Sequence, residues 1–99
     1  MRPESILATM QAVRVVVSGR VQGVGFRAWA ARQATELGVA GRVWNRPDGG
    51  VEAEAVGPRV ALERFVEVMR QGPRMARVEH VAEQWFECPE VPRGFQVTG

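Results

Sequence analysis

The sequence predicts an α+β fold: two helices on one face of an antiparallel sheet, in the order β-α-β-β-α-β, with a short extra strand at the C-terminal end. Three observations carry this. A β-branched run, Val13-Arg-Val-Val-Val17, is followed by glycine and reads as a buried strand. Two later segments, Phe26, Ala30, Ala34, Leu37 and Leu62, Phe65, Val66, Met69, place apolar residues at helical spacing. Between them, Pro47-Asp-Gly-Gly50 separates two strand-like runs, which is a hairpin signal.

The first strand is expected over residues 13–18 and the first helix over 26–37, with Gly38 as its stop. Residues 39–46 read as the second strand. Residues 51–55, Val-Glu-Ala-Glu-Ala, read as its hairpin partner, with a buried apolar face and a wet face carrying Glu52 and Glu54. Pro58 stands at the entry of the second helix and Gly72-Pro73 ends it. A fourth strand is expected over residues 76–86, where alternation slips near His80–Ala82 and marks a bulge. Residues 95–97 form the closing strand. This order is the split βαβ, or ferredoxin-like, sandwich, with the first and third strands central. Residues 1–11 read as a flexible extension and 12–99 as one domain, and Met10 is a candidate natural start.

Composition narrows the chemistry. No apolar run reaches the roughly 20 residues of a membrane span, and the N-terminus does not read as a signal peptide. The lone cysteine, Cys88, rules out an internal disulfide framework and fits a reducing cytoplasm. All 13 bases are arginine, so nothing titrates as lysine or tyrosine, and the pI of 9.9 overstates a net charge of only +2. Residues 1–47 carry seven arginines against two acids, and residues 48–99 six against nine, which is consistent with an anion site in the first half and equally with a solvated arginine surface. Lacking lysine, the chain has neither a Schiff-base residue nor a Walker-type phosphate loop. One histidine and one cysteine do not make the usual zinc sites, so no metal or cofactor is expected.

The most specific stretch is Gly19-Arg-Val-Gln-Gly-Val-Gly-Phe-Arg27, lying at a strand-to-helix junction. Glycines let backbone N–H groups approach a compact anion, and the helix start adds unpaired N–H donors. Arg27 adds a permanent charge and a planar donor fork suited to phosphate.

This run and the second segment, Gly41-Arg-Val-Trp-Asn-Arg-Pro-Asp-Gly-Gly-Val-Glu52, resemble the two signatures of the acylphosphatase family, over about residues 12–98. The resemblance implies metal-independent hydrolysis of acyl phosphates to carboxylate and phosphate. Position by position, Arg27 resembles the family's phosphate-binding arginine. Asn45, the single asparagine in the chain, resembles the residue that positions the attacking water. The backbone N–H groups of Val21, Gln22, Gly23, Val24, Gly25 and Phe26 would hold the phosphoryl oxygens. The implied partners are a small acyl phosphate and the product phosphate, with no membrane or nucleic acid, and the protein is expected to be a cytoplasmic monomer. Arg46-Pro47 and the terminal Thr98-Gly99 depart from the pattern.

Other readings stand beside these. Gly23, Gly25 and Ala28 also fit a dinucleotide-type G-x-G-x-x-A, but consecutive parallel βαβ units are missing. Arg27 alone reads as a solvated cation, and Asn45 alone as a turn residue. Trp29, Trp44 and Trp85 read as packing residues, and His80 as structural. The rival class is a non-catalytic module of this fold binding phosphate or RNA, though the strands lack tyrosine and a basic-aromatic motif. A silent or carbamoyl-phosphate-handling relative is a further alternative.

Overall fold

The structure, a computed structural model, describes residues 10–87 and 90–99. Cys88 therefore lies outside the described residues, as do residues 1–9. The elements are β1 (Met10–Arg20), α1 (Phe26–Leu37), β2 (Ala40–Asn45), β3 (Val51–Pro58), α2 (Arg59–Gln71), β4 (Arg77–Phe86) and β5 (Phe95–Val97).

The sheet order is β4-β1-β3-β2-β5, so β1 and β3 are central as expected. The expected short extra strand, β5, joins the antiparallel strands at the β2 edge and pairs parallel to β2, with Gly41 opposite Phe95 and Val43 opposite Val97, making the sheet mixed. The Gly41 N–H donates to the Gly94 carbonyl at 2.9 Å and the Thr98 N–H to the Val43 carbonyl at 2.9 Å, fixing both ends of this short pairing. β1 begins at Met10 rather than Val13, because β3 runs on to Pro58 and offers Met10 a partner there.

Both helices pack on one face. Strand alternation supplies Val13, Val15 and Val17 from β1, Val43 from β2, and Val51, Ala53 and Ala55 from β3. Phe26, Ala30 and Ala34 of α1 and Leu62, Phe65, Val66 and Met69 of α2 close over them. The register between β1 and β4 shifts after Ser18: Ser18 faces His80 but Gly19 faces Val78, leaving Glu79 as the extra residue of a bulge. A Cβ on Gly19 would lie 2.2 Å from the Arg77 carbonyl oxygen, so this bulge requires glycine.

The open face of the sheet corrects a second expectation. Glu52 is buried, not wet. Arg14 and Arg42 flank Glu54 in direct register, and Arg14 and Arg46 reach Glu52, so arginines from neighbouring strands cover the acidic face. Arg14 first, then Arg42, hold the Glu54 carboxyl below its ordinary range.

Candidate active site

The site forms where β1 stops and α1 begins. Val21 is buried as an anchor, and the chain then turns through Gln22–Gly25 before the first helical turn. Gly23 and Gly25 have φ of +76° and +78°, and a Cβ on either would meet nothing within 4 Å. Glycine is therefore selected there by backbone conformation, not crowding, and the open space leaves the loop amides accessible. Gly25 is the N-cap of α1 and no side chain caps the helix. Among the described residues, no acceptor receives the N–H groups of Phe26, Arg27 and Ala28, the unpaired donors of a first helical turn.

The second part comes from the hairpin. Val43 and Asn45 share the helix-side face of β2, so Asn45 emerges at the strand end beside the loop. Val21, Gly23, Gly25, Phe26, Arg27, Ala28, Asn45 and Val97 line one cleft of about 210 Å³. Arg27 is half-buried and pairs with no acid among the described residues. The carboxylates of the hairpin and of the open sheet face pair with other arginines: Asp48 with Arg46, Glu52 with Arg46 and Arg14, Glu54 with Arg14 and Arg42.

Gln22 joins the two parts. Its amide Nε2 donates to the Arg46 carbonyl at 2.8 Å and the Gly50 carbonyl at 2.9 Å. Those carbonyls bracket the hairpin turn. The Arg46 N–H donates to Gly50 O at 2.8 Å, and the Gly49 N–H donates to Arg46 O at 3.2 Å. Pro47, one residue after the start of this turn, sits where its missing N–H is not needed. The Arg46 side chain reaches Asp48 at 2.9 Å and Glu52 at 2.6 Å. Asp48 and then Glu52 raise the Arg46 pKa, while Arg46 and the Gly50 N–H hold the Asp48 carboxyl below its ordinary range.

Of the residues singled out in the sequence, Val21, Gly23, Gly25, Phe26, Arg27 and Asn45 meet in the cleft. Gln22 and Val24 do not line it; Val24 packs against the core and Gln22 binds the hairpin. Sequence reading missed Ala28 and Val97 as lining residues. Ala28 follows Arg27 on the first turn, a signal that was available. Val97 depends on the parallel pairing of β5, which a three-residue strand does not reveal. Trp29 stacks edge-on to Phe26 at 5.5 Å, and Arg42 and Arg59 lie over Trp44 and Trp85 at 4.9 and 3.7 Å, so all three tryptophans make the packing contacts expected. Among the described residues, no group of three or more His, Cys, Asp or Glu converges as metal ligands, and no helix is long and apolar enough to cross a membrane.

A glycine-rich loop at a helix start, an arginine with no acidic partner among the described residues and a strand-end asparagine thus meet on a ferredoxin-like sandwich, the architecture of a class of small α+β proteins. The acylphosphatase family model matches residues 13–97. An acylphosphatase of Thermus thermophilus is 54% identical over 82 residues, covering 83% of this chain and 92% of that one. An acylphosphatase of Salinibacter ruber is 46% identical, covering 90% and 94%. The crystal structure of the Bacillus subtilis acylphosphatase superposes with a TM-score of 0.87 at 37% identity, covering 90% of this chain and 99% of that one. The chain belongs to the acylphosphatase family. Its activity is accordingly that of a hydrolase, cleaving the carboxyl–phosphate bond of acyl phosphates.

Proposed function

We propose that the cleft is the catalytic centre, working without a metal. Arg27 and the loop N–H groups bind the phosphoryl oxygens, and Asn45 positions the attacking water. The observation that supports this best is the convergence of Arg27, Asn45 and the loop glycines on one cleft in which Arg27 has no acidic partner among the described residues. A guanidinium without a counter-ion keeps its full charge for an incoming anion.

Phosphoryl transfer needs positioning and charge stabilisation more than covalent assistance. The water oxygen forms a bond to phosphorus while the bond from phosphorus to the acyl oxygen breaks. The carboxylate departs with its electron pair and needs no strong general acid. Asn45 accepts a hydrogen bond from the water through its amide oxygen and can donate through its nitrogen. The water's proton passes to a phosphoryl oxygen. Arg27 and the preorganised amides carry the charge on the remaining oxygens.

The cleft is built within one chain, which supports a working monomer. The single cysteine, which makes no internal disulfide, supports a reducing, cytoplasmic location. Substrate is then a small acyl phosphate and the products are phosphate and a carboxylate, with neither nucleic acid nor membrane involved. The test is hydrolysis of an aryl acyl phosphate in EDTA by wild type, Arg27→Ala and Asn45→Ala. Fast turnover lost in both variants supports the assignment. No turnover by folded wild type, or full turnover by either variant, overturns it.

A further inference from the structure

Arg46 follows Asn45 directly and is held more heavily than any neighbour. Its Nε donates to both Asp48 oxygens, at 3.1 and 3.0 Å, and its Nη2 to Asp48 Oδ2 at 2.9 Å. Its Nη1 donates to Glu52 Oε1 at 2.6 Å. Glu52 is anchored in turn, with its Oε2 3.3 Å from Nε of Arg14 on the central strand. The Gly50 N–H also donates to Asp48 Oδ1 at 3.0 Å, tying the far side of the turn to the same carboxylate. The Arg46 main chain meanwhile accepts from Gln22 of the phosphate loop. One residue thus joins the turn tip, the central sheet and the loop, at the peptide next to Asn45.

We infer that Arg46 is a positioning residue, whose guanidinium, clamped between Asp48 and Glu52, sets the orientation of Asn45 relative to the phosphate loop. This rests on the reading of Asn45 given above. The guanidinium does not line the cleft, and its charge is matched by two carboxylates, so it acts through geometry and not through charge on the substrate. Arginine suits this better than lysine, because its planar fork holds two acceptors in fixed directions. Small errors in the placing of a reacting group are costly, up to about 10²-fold for a displacement near 1 Å. The backbone bonds of the turn survive loss of the side chain, so a smaller effect is expected.

The experiment is a double-mutant cycle with Arg46→Met and Asn45→Ala, measured on an aryl acyl phosphate, with inorganic phosphate as competitive inhibitor. Arg46→Met should lower kcat about tenfold while the phosphate inhibition constant stays within about twofold, because Arg27 and the loop are untouched. In the Asn45→Ala background the same substitution should cost less than about twofold, since the residue it positions is gone. Glu52→Gln, which leaves arginine in place but weakens its anchor, should shift kcat in the same direction. It also serves if Arg46→Met folds poorly. Arg59→Gln, which breaks a surface ion pair on α2, should leave kcat unchanged. An equal loss of kcat with and without Asn45, an unchanged kcat, or a loss confined to phosphate affinity overturns the inference alone. Full activity of Asn45→Ala overturns the site reading and this inference together.

Discussion

The side-chain amide of Gln22 lies 2.9 Å from the carbonyl oxygen of Gly50, 28 residues away, and that contact ties the Gln22–Gly25 loop to the β2–β3 hairpin. Replacing Gln22 with Leu removes one of the two donors to each carbonyl, leaving the backbone N–H of Gly49 on Arg46 and that of Arg46 on Gly50. A loss of about 0.5–1.5 kcal/mol per lost bond is expected, read as a lower denaturant midpoint. Gln22→Glu should be worse, since a carboxylate would face two carbonyl oxygens. Variants of unaltered stability would remove this link from the account.

Arg27→Lys keeps the charge but loses the fork. The expected loss is about 10²–10³ in kcat/KM. Stability should stay within about 0.5 kcal/mol, because Arg27 pairs with no acid among the described residues and its removal orphans none. Near-wild-type turnover of Arg27→Lys would show that charge alone suffices.

Asn45→Asp tests the water-positioning role with an isosteric change. The carboxylate would repel the phosphoryl oxygens and cannot donate, so activity should fall by about 10² or more, with weaker phosphate binding. Asn45→Ala should lower kcat while phosphate binding is largely kept. Single-turnover assays and phosphate inhibition separate the two.

Gly19→Ala and Gly25→Ala should part company. At Gly19 a Cβ meets the Arg77 carbonyl oxygen at 2.2 Å and the Glu79 nitrogen at 2.9 Å, both backbone atoms. Strain and crowding together should cost about 3 kcal/mol or more. At Gly25 nothing lies within 4 Å, so only the φ of +78° is penalised, at about 1–2 kcal/mol. The Gly25 variant should be the less destabilised but lose affinity for phosphate. Chemical denaturation and phosphate inhibition check both.

Acid should weaken the open face of the sheet. Glu54 has a folded pKa below its unfolded value, through Arg14 first and Arg42 as well. Its contribution is therefore complete above the ordinary glutamate range, near pH 4.3, and is lost as pH falls below that through the lower folded pKa. Between neutral pH and about pH 3 the Tm of Glu54→Gln should fall less steeply than that of wild type. Parallel profiles would show that Glu54 carries none of the acid sensitivity.

Much of this was legible in the residues themselves. Phe26 and Gly38 mark α1 at the bounds observed, because the apolar spacing starts at one and the stop signal is the other. The slip expected near His80–Ala82 corresponds to a real bulge, which lies just before that range at Glu79. The cleft could be assembled from Arg27, Asn45 and the glycines because each sits at the end of an element whose type was readable. Burial of Glu52 was not legible. Alternation reports only that it faces away from the core, while its cover comes from Arg14, 38 positions earlier, and from Arg46. Nor could Val97 be placed, since three residues cannot reveal which strand they join or in which direction.

The central place of β1 has a consequence for how the chain acquires its shape. Emerging vectorially, β1 is made first yet has neither neighbour: β3 begins at Val51 and β4 at Arg77. The β2–β3 hairpin closes through a short turn, so it is the fast local event. The valines of β1 must wait for it, and for β4 after it. Folding is consequently paced by distant pairings. The nascent species most prone to self-association is a chain whose Val13, Val15 and Val17 are exposed before the strands on either side exist.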